Sequence, residues 1–259
     1  MTKKYDVYGI GNALVDIVTE VDADFFSTHG VEKGLMTLVD EKRQHELMKA
    51  IDQKRSKMAC GGSAGNTVIA VNQFGGSSFY SCLVAKDDLG RFFLEDLKRN
   101  GVRTNLNYEN CPDGITGKCL VMTTPDADRT MNTFLGISSF LSSEYLNEES
   151  LSASRYVYLE GYLVASPHGL EALKEAKRIA EKHRVSTSLT LSDPNMVKYF
   201  SAQFEDVIGA SVDLLFCNEE EAMAITSTDS VQDAREKLKQ LAKRFAITLG
   251  ANGALIFDG

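Results

Sequence analysis

The chain has 259 residues, a net charge of −8, 43% hydrophobic residues and 25% charged residues. That is enough chain for a large core in one or two domains, with ordinary globular composition. The acidic balance excludes a general nucleic-acid binder, which needs a basic face, but leaves room for a small anionic ligand at a local basic site. No apolar run approaches the roughly 20 residues of a membrane span.

The opening Met-Thr-Lys-Lys-Tyr-Asp-Val has basic residues but no apolar stretch of the signal-peptide kind. Five cysteines, Cys60, Cys82, Cys111, Cys119 and Cys217, form no Cys-x-x-Cys pair. They read as reduced, mostly buried thiols, and a cytoplasmic location is expected. The four histidines are scattered, so no metal cluster of the thiol or imidazole kind is expected.

In chain order, residues 5–10 read as a short buried strand broken by Gly11-Asn12. Residues 14–21 alternate, with Val15, Ile17, Thr19 and Val21 on one side and Asp16 on the other. Asp16 is either a surface-facing strand residue or a carboxylate aimed at ligand hydroxyls, which a charge-assisted hydrogen bond suits. Residues 35–39 form another short strand, after which Asp40 caps a helix with Leu47, Met48 and Ile51 inward.

Residues 59–76 place Gly61, Gly62 and Gly65 before a helix that buries Ala64, Val68 and Val71. Ser63 is the expected cap and Asn66 lies in the first turn. Glycines mark turns more often than sites, so this is either a tight turn before a core helix or a grip for a polyhydroxylated ligand. Two nucleotide signatures are absent. Gly9-Ile10-Gly11-Asn12-Ala13-Leu14 lacks the last glycine of Gly-x-Gly-x-x-Gly, and Gly117-Lys118 is followed by Cys119, with no glycine at the upstream place a Walker A loop requires.

A strand at 78–84, then a helix from Asp88 with Phe93, Leu94 and Leu97 inward, continue a parallel-sheet rhythm. Residues 118–124 and 129–134 break it, flanking Pro125-Asp126-Ala127-Asp128 as a β-hairpin. With 14–21 and 35–39 the hairpin can build a small inserted sheet, a lid drawn from segments at about 13–39 and 108–135. Arg129 is then a solvated charge, or a charge clamp if the hairpin folds over a phosphate.

Strands follow at 156–160, 186–191, 212–217, 246–249 and 254–257, with helices from Ser166-Pro167 to His183 and from Ser230 to Phe245. Open α/β sheets place ligands beyond such strand ends. Asn218 and Glu221 stand at one of them. They suit a hydrated Mg²⁺, although glutamates at a helix N-terminus are favoured there by the dipole alone, which is the better reading on spacing.

Together these residues resemble the ribokinase-like (PfkB) kinases over the whole length given. Gly11-Asn12-Ala13-Leu14-Val15-Asp16 is similar to the family's first-strand substrate motif and Gly61-Gly62-Ser63-Ala64-Gly65-Asn66 to its first signature. Asp128-Arg129-Thr130 matches its lid hairpin and Asn218-Glu219-Glu220-Glu221 its Asn-x-x-Glu magnesium motif. The adenosine kinase branch is the nearest in pattern, through Tyr158-Leu159-Glu160-Gly161-Tyr162 and Val212-Asp213-Leu214-Leu215-Phe216-Cys217-Asn218 as well.

The resemblance implies a Rossmann-like three-layer α/β sandwich with a β lid. It implies transfer of the ATP γ-phosphoryl group to a CH₂OH of a ribose-containing substrate, most simply a nucleoside. The alternatives are a ribokinase- or fructokinase-like sugar kinase and a non-catalytic binding relative. Asp16 would bind vicinal hydroxyls, helped by Asn12, Gly61, Gly62, Ser63 and Asn66, with Arg129 at the transferring phosphate. Leu14, Thr37 and Tyr162 fall where the branch contacts the base, although Thr37 offers a hydroxyl where a longer amide is expected. Asn218 and Glu221 would hold the water shell of Mg²⁺, and Asn218, Thr248, Gly250 and Gly253 would border ATP. The expected partner is a small molecule, with no nucleic acid or membrane, and the protein is a monomer or homodimer. The family's second signature, Asp-Thr-x-Gly-Ala-Gly-Asp, does not occur within these 259 residues. They are therefore expected to be part of a longer kinase, with little or no kinase activity alone.

Overall fold

A computed structural model describes residues 3–51, 56–124 and 129–259. The chain opens with β1 (Tyr5–Ile10), which enters the middle of a large sheet, and three residues later β2 (Leu14–Glu20) enters a smaller one. Next come α1 (Ala23–His29), β3 (Met36–Leu38), α2 (Glu41–Ala50) and β4 (Lys57–Gly61). Helix α3 (Ser63–Gln73), β5 (Ser78–Ser81) and α4 (Asp88–Arg99) return to the large sheet, and β6 (Gly117–Thr123) and β7 (Arg129–Phe134) complete the small one.

The second half alternates. It runs α5 (Glu148–Ser152), β8 (Ser154–Glu160), α6 (Pro167–Lys182), β9 (Ser186–Thr190), α7 (Pro194–Ile208), β10 (Leu214–Asn218), α8 (Glu219–Thr226), α9 (Val231–Leu241), β11 (Phe245–Thr248) and β12 (Ala254–Phe257).

The large sheet has the order β12-β11-β10-β9-β8-β1-β5 and is parallel except for β12. The small sheet is mixed, β3-β7-β6-β2-β4. The hairpin expected at 118–134 forms between β6 and β7, from Lys118 opposite Phe134 to Thr123 opposite Arg129; its turn, 125–128, lies outside the described residues.

Local chemistry explains most boundaries. The Asp40 carboxylate accepts from the Arg43 amide at 2.7 Å and starts α2. Ser166 accepts from the Gly169 amide at 3.0 Å, with Pro167 following, and starts α6. Several elements escape the sequence pattern, β4 and α7 among them. Strand β4 has three exposed residues and a glycine in place of an alternating face, and exists because it pairs with β2, Leu14 opposite Gly61. Helix α7 begins with Asp193 capping the Asn195 amide at 2.8 Å and is interrupted at Phe200, where φ is −128°. Helix α9 stops at Leu241 rather than at Phe245, because Phe245 is needed as the first residue of β11, opposite Phe257.

Two apolar cores result. One packs α6 and α7 on β8, β9 and β10. The other joins the small sheet to α3, α4 and the large sheet, through Val15, Ile17 and Leu120 against Phe93, Leu97 and Tyr80. Among the described residues, no helix is long and apolar enough to cross a membrane.

Phe93 is fully buried where the two sheets meet through α4. Phe93→Ala is expected to lower unfolding stability by about 3–5 kcal/mol, read as an earlier midpoint in urea denaturation.

Candidate functional site

The chain crosses from the large sheet to the small one at Gly11-Asn12-Ala13, beyond the C-terminal end of β1. Asn12 is held on three sides. Its backbone N–H and its side-chain amide both donate to Glu160 Oε1 at 3.0 Å, and the Tyr80 hydroxyl donates to its carbonyl at 3.1 Å. The other Glu160 oxygen accepts from the Ala64 N–H at 2.7 Å. Glu160 is the last residue of β8 and is 1% exposed. Burial pushes its carboxyl up, opposed by the Ala64 and Asn12 hydrogen bonds.

The start of α3 corrects the expected cap. Gly62, not Ser63, is the N-cap, with φ at +87° and no side-chain cap; Ser63 is the first helical residue, and Glu160 reaches across from β8 to accept from the helix terminus. A Cβ on Gly62 would lie 2.2 Å from the Asn12 carbonyl oxygen, so position 62 tolerates glycine only. A Cβ on Gly61 would lie 2.1 Å from Asp16 Oδ1, which locates the Asp16 carboxylate directly over the Gly61 backbone.

Asp16 points from β2 into a cleft of about 230 Å³ between the two sheets. Burial raises its carboxyl to about 6, and the positive charge of Arg129, at the start of β7, pulls the other way. Asn12, Leu14, Gly62 and Ser63 line the same cleft, as do Asn66 and Tyr162. Gly61 lies beneath Asp16, and Arg129 is exposed, close enough for Asp16 to feel its charge.

Thr37 is the residue that the structure takes away from the cleft. It is exposed, and its neighbours Met36 and Leu38 face the cleft instead, because side chains alternate along a strand. Glu160 enters the sequence reading only within Tyr158-Leu159-Glu160-Gly161-Tyr162, without a role in the site, and Tyr80 and the apolar wall are absent from it. The one available signal was a carboxylate ending the apolar run of residues 156–160, the pattern that drew attention to Asp16.

Asn218 and Glu221 form a reciprocal capping box on α8. Asn218 Oδ1 accepts from the Glu221 N–H at 2.8 Å, and Glu221 accepts from the Asn218 backbone and side-chain amides at 3.0 Å each. Glu221 is 4% exposed, and burial raises its carboxyl to about 7, with the charges of Asp193 and Glu220 adding to the rise. Thr248 pairs with Asn218 across β10 and β11. Gly250 and Gly253 follow in the exposed turn toward β12, with φ at +56° and +89°. None of these five residues lines the cleft. Tyr162 links the regions, since its hydroxyl is pushed up first by burial and then by Asp193, Glu160 and Glu221 together. Among the described residues no three His, Cys, Asp or Glu side chains stand close enough to hold a metal directly.

A parallel α/β sheet covered by a small β-sheet, with carboxylates and amides gathered beyond the strand ends, defines a small-molecule-binding α/β protein. The profile of the pfkB family carbohydrate kinases matches residues 34–259, and the chain belongs to that family. Guanosine-inosine kinase of Escherichia coli (strain K12) is 26% identical over 254 residues, covering 95% of this chain and 58% of the relative. The chain thus spans a little under three fifths of that relative's length. The crystal structure of adenosine kinase from Sinorhizobium meliloti superposes with a TM-score of 0.90 at 36% identity, covering 98% of this chain and 77% of that one. The structure of a probable sugar kinase protein from Rhizobium etli CFN 42 superposes with a TM-score of 0.90 at 33% identity, with the same coverage.

Asp16 binds its proton more tightly in the folded state, at about 6, than its ordinary 3.8 allows. The corresponding stabilisation is complete in acid and is lost as pH rises from about 4 to about 6. Asp16→Asn is therefore expected to match the parent at pH 4 and to exceed it at pH 8 by on the order of 2 kcal/mol, after discounting for partial exposure. Chemical denaturation at the two pH values measures this.

Proposed function

We propose that the protein is an adenosine kinase-like nucleoside kinase, transferring the γ-phosphoryl group of ATP to the primary hydroxyl of a ribose. The observation that supports this most is Asp16, a desolvated carboxylate aimed into a cleft beside Asn12 and Asn66, with the charge of Arg129 nearby. A carboxylate stripped of water and short of hydrogen-bond donors is suited to vicinal hydroxyls, whose two O–H groups restore what burial removed. Asn12 is immobilised by Glu160 and Tyr80, so its orientation is set before the ligand arrives.

The small sheet acts in this reading as a lid, and Arg129 at its hairpin clamps the transferring phosphoryl group. Nucleotide sits beyond the ends of β10 and β11, where Asn218, Thr248, Gly250 and Gly253 are neighbours. The site fits a hydrated Mg²⁺. Glu221 is driven toward neutrality first by burial and then by the charges of Asp193 and Glu220, and a divalent cation nearby would favour its charged form. Asn218 and Glu221 would hold its water shell rather than the ion itself, consistent with the capping box that already engages both side chains. When bound, the cation offsets negative charge on the phosphates. The five free, buried cysteines support a reducing, cytoplasmic setting.

Calorimetric titration is expected to show adenosine binding, with Asp16→Ala weakening it roughly 30-fold or more, the loss of charge-assisted hydrogen bonds of about 2 kcal/mol or more. Free ribose or fructose binding while adenosine is silent would move the protein to the sugar kinases. Glu221→Gln retains a capping-box side chain but not the charge. It is expected to leave the circular dichroism spectrum unchanged and to raise several-fold the Mg²⁺ concentration that gives half-saturation in a calorimetric titration with ATP present.

A further inference from the structure

Resting on the reading of the small sheet as a lid over a nucleoside site, we propose that Asp87 and Thr116 are positioning residues. Together they form the anchor that sets the angle of that sheet over the cleft.

Four stretches of chain cross between the large sheet and the small one, at 11–13, 61–62, 115–117 and 135–136. They lie side by side, closer than side chains permit. A Cβ on Gly62 would meet the Asn12 carbonyl oxygen at 2.2 Å, and one on Gly136 would meet that of Ile115 at 2.2 Å. A Cβ on Gly117 would meet the carbonyl oxygens of Leu135 at 2.5 Å and Ala13 at 3.0 Å. The Ile137 N–H also donates to the Ile115 carbonyl at 2.8 Å. The crossings therefore form one narrow hinge.

Two carboxylates tie this hinge to the body of the large sheet. Glu160 holds the first two stretches, through Asn12 and Ala64. Asp87, the N-cap of α4, holds the third. Capping uses one bond, from the Gly90 N–H to Oδ1 at 2.7 Å. The rest of the carboxylate is committed to Thr116. Oδ2 accepts from the Thr116 N–H at 2.8 Å, and Oδ1 accepts from the Thr116 hydroxyl at 2.6 Å. That hydroxyl in turn accepts from the Ala85 N–H at 3.0 Å. Thr116 is fully buried. A Cβ on Gly90 would lie 2.0 Å from the Ala85 carbonyl oxygen and 2.9 Å from the Thr116 hydroxyl, so the start of α4 is pressed onto this point. A helix cap by itself requires none of the bonds to Thr116.

Thr116 directly precedes β6, and β6 pairs with β7, which begins at Arg129. These strands and the residue after them bring Cys119, Met131, Thr133 and Leu135 to the cleft. Strand β6 has 7 residues. At about 3.3 Å per residue, a tilt of about 10° at its start displaces its far end, opposite Arg129, by roughly 3–4 Å. Charge-assisted hydrogen bonds in a buried setting resist such a tilt. Loss of the Thr116 hydroxyl is expected to open the cleft while the strands stay paired.

Three thiols of similar exposure, Cys119 at 4%, Cys60 at 6% and Cys217 at 5%, distinguish a tilt from a loss of fold. Cys119 faces the cleft from β6. Cys60 lies on the other face of the same sheet, against Phe93, and Cys217 sits in the core with α6 and α7. The test is timed alkylation with N-ethylmaleimide, read thiol by thiol by peptide mass spectrometry, on the parent, Thr116→Val and Thr116→Ser. Thr116→Val keeps the shape and removes the hydroxyl. It is expected to speed modification of Cys119 tenfold or more, with Cys60 and Cys217 within twofold of the parent. Thr116→Ser is expected to return Cys119 to within threefold. Faster modification of Cys60 or Cys217 alongside Cys119 shows loss of fold rather than a tilt, and an unchanged Cys119 rate shows that the angle is set elsewhere. Either result overturns the proposal. Asp87→Asn keeps a capping oxygen and gives up an acceptor for Thr116. It should give the same pattern, and a Cys119 rate equal to the parent's overturns the proposal even where Thr116→Val does not fold. Saturating adenosine is expected to slow Cys119 in the parent. No protection by adenosine counts against the nucleoside reading, and the hinge is then still judged by the pattern of the three thiols.

Discussion

A single buried carboxylate, that of Glu160, holds the site together. It receives two N–H groups from Asn12 and one from Ala64, and so joins the end of β1, the end of β8 and the start of α3 at one point. An isolated carboxylate at that depth would be costly, and the three donors together with the positive end of a helix are what make it tolerable. The glycines at 61 and 62 belong to the same arrangement. Once Asn12 is fixed by Glu160 and Tyr80, its carbonyl and the Asp16 carboxylate press so closely on the next chain that no Cβ fits there.

Three acidic side chains near the strand ends then differ by what surrounds them. Glu160 is filled with donors and does structural work. Asp16 is half-buried and faces a cleft, with Arg129 the charge that opposes its desolvation, so it retains capacity for a ligand. Glu221 is engaged with Asn218, and burial, with the charges of Asp193 and Glu220 added, raises its carboxyl to about 7. Environment assigns these chemically similar groups to different roles.

The small sheet contributes the other half of the cleft through strand alternation. Met36 and Leu38 face inward while Thr37 faces out, and Met131, Thr133 and Leu135 follow the same period on the neighbouring chain. A slip of one residue in the pairing of Met36 with Met131 would turn Met36 and Leu38 out of the wall and Thr37 into it.

Much of this was legible in the residues themselves. Period-2 and period-3.6 patterns, capping residues and the Pro-Asp turn located most strands and helices, because those signals act within a few neighbours. Asn12, Asp16, Gly62 and Asn66 were recognisable because their types are unusual within apolar strands and at a helix start. Strand β4 was not, since its only reason to be a strand is its pairing with β2. Glu160 as the cap of α3 was not, since Ala64 lies 96 positions away. The outward turn of Thr37 was not, since a three-residue strand carries too little alternation to reveal its inner face. The sequence by itself therefore determined most of the elements and the α/β class. Tertiary structure alone decided which carboxylate is filled and which is open, because that depends on donors brought from distant parts of the chain.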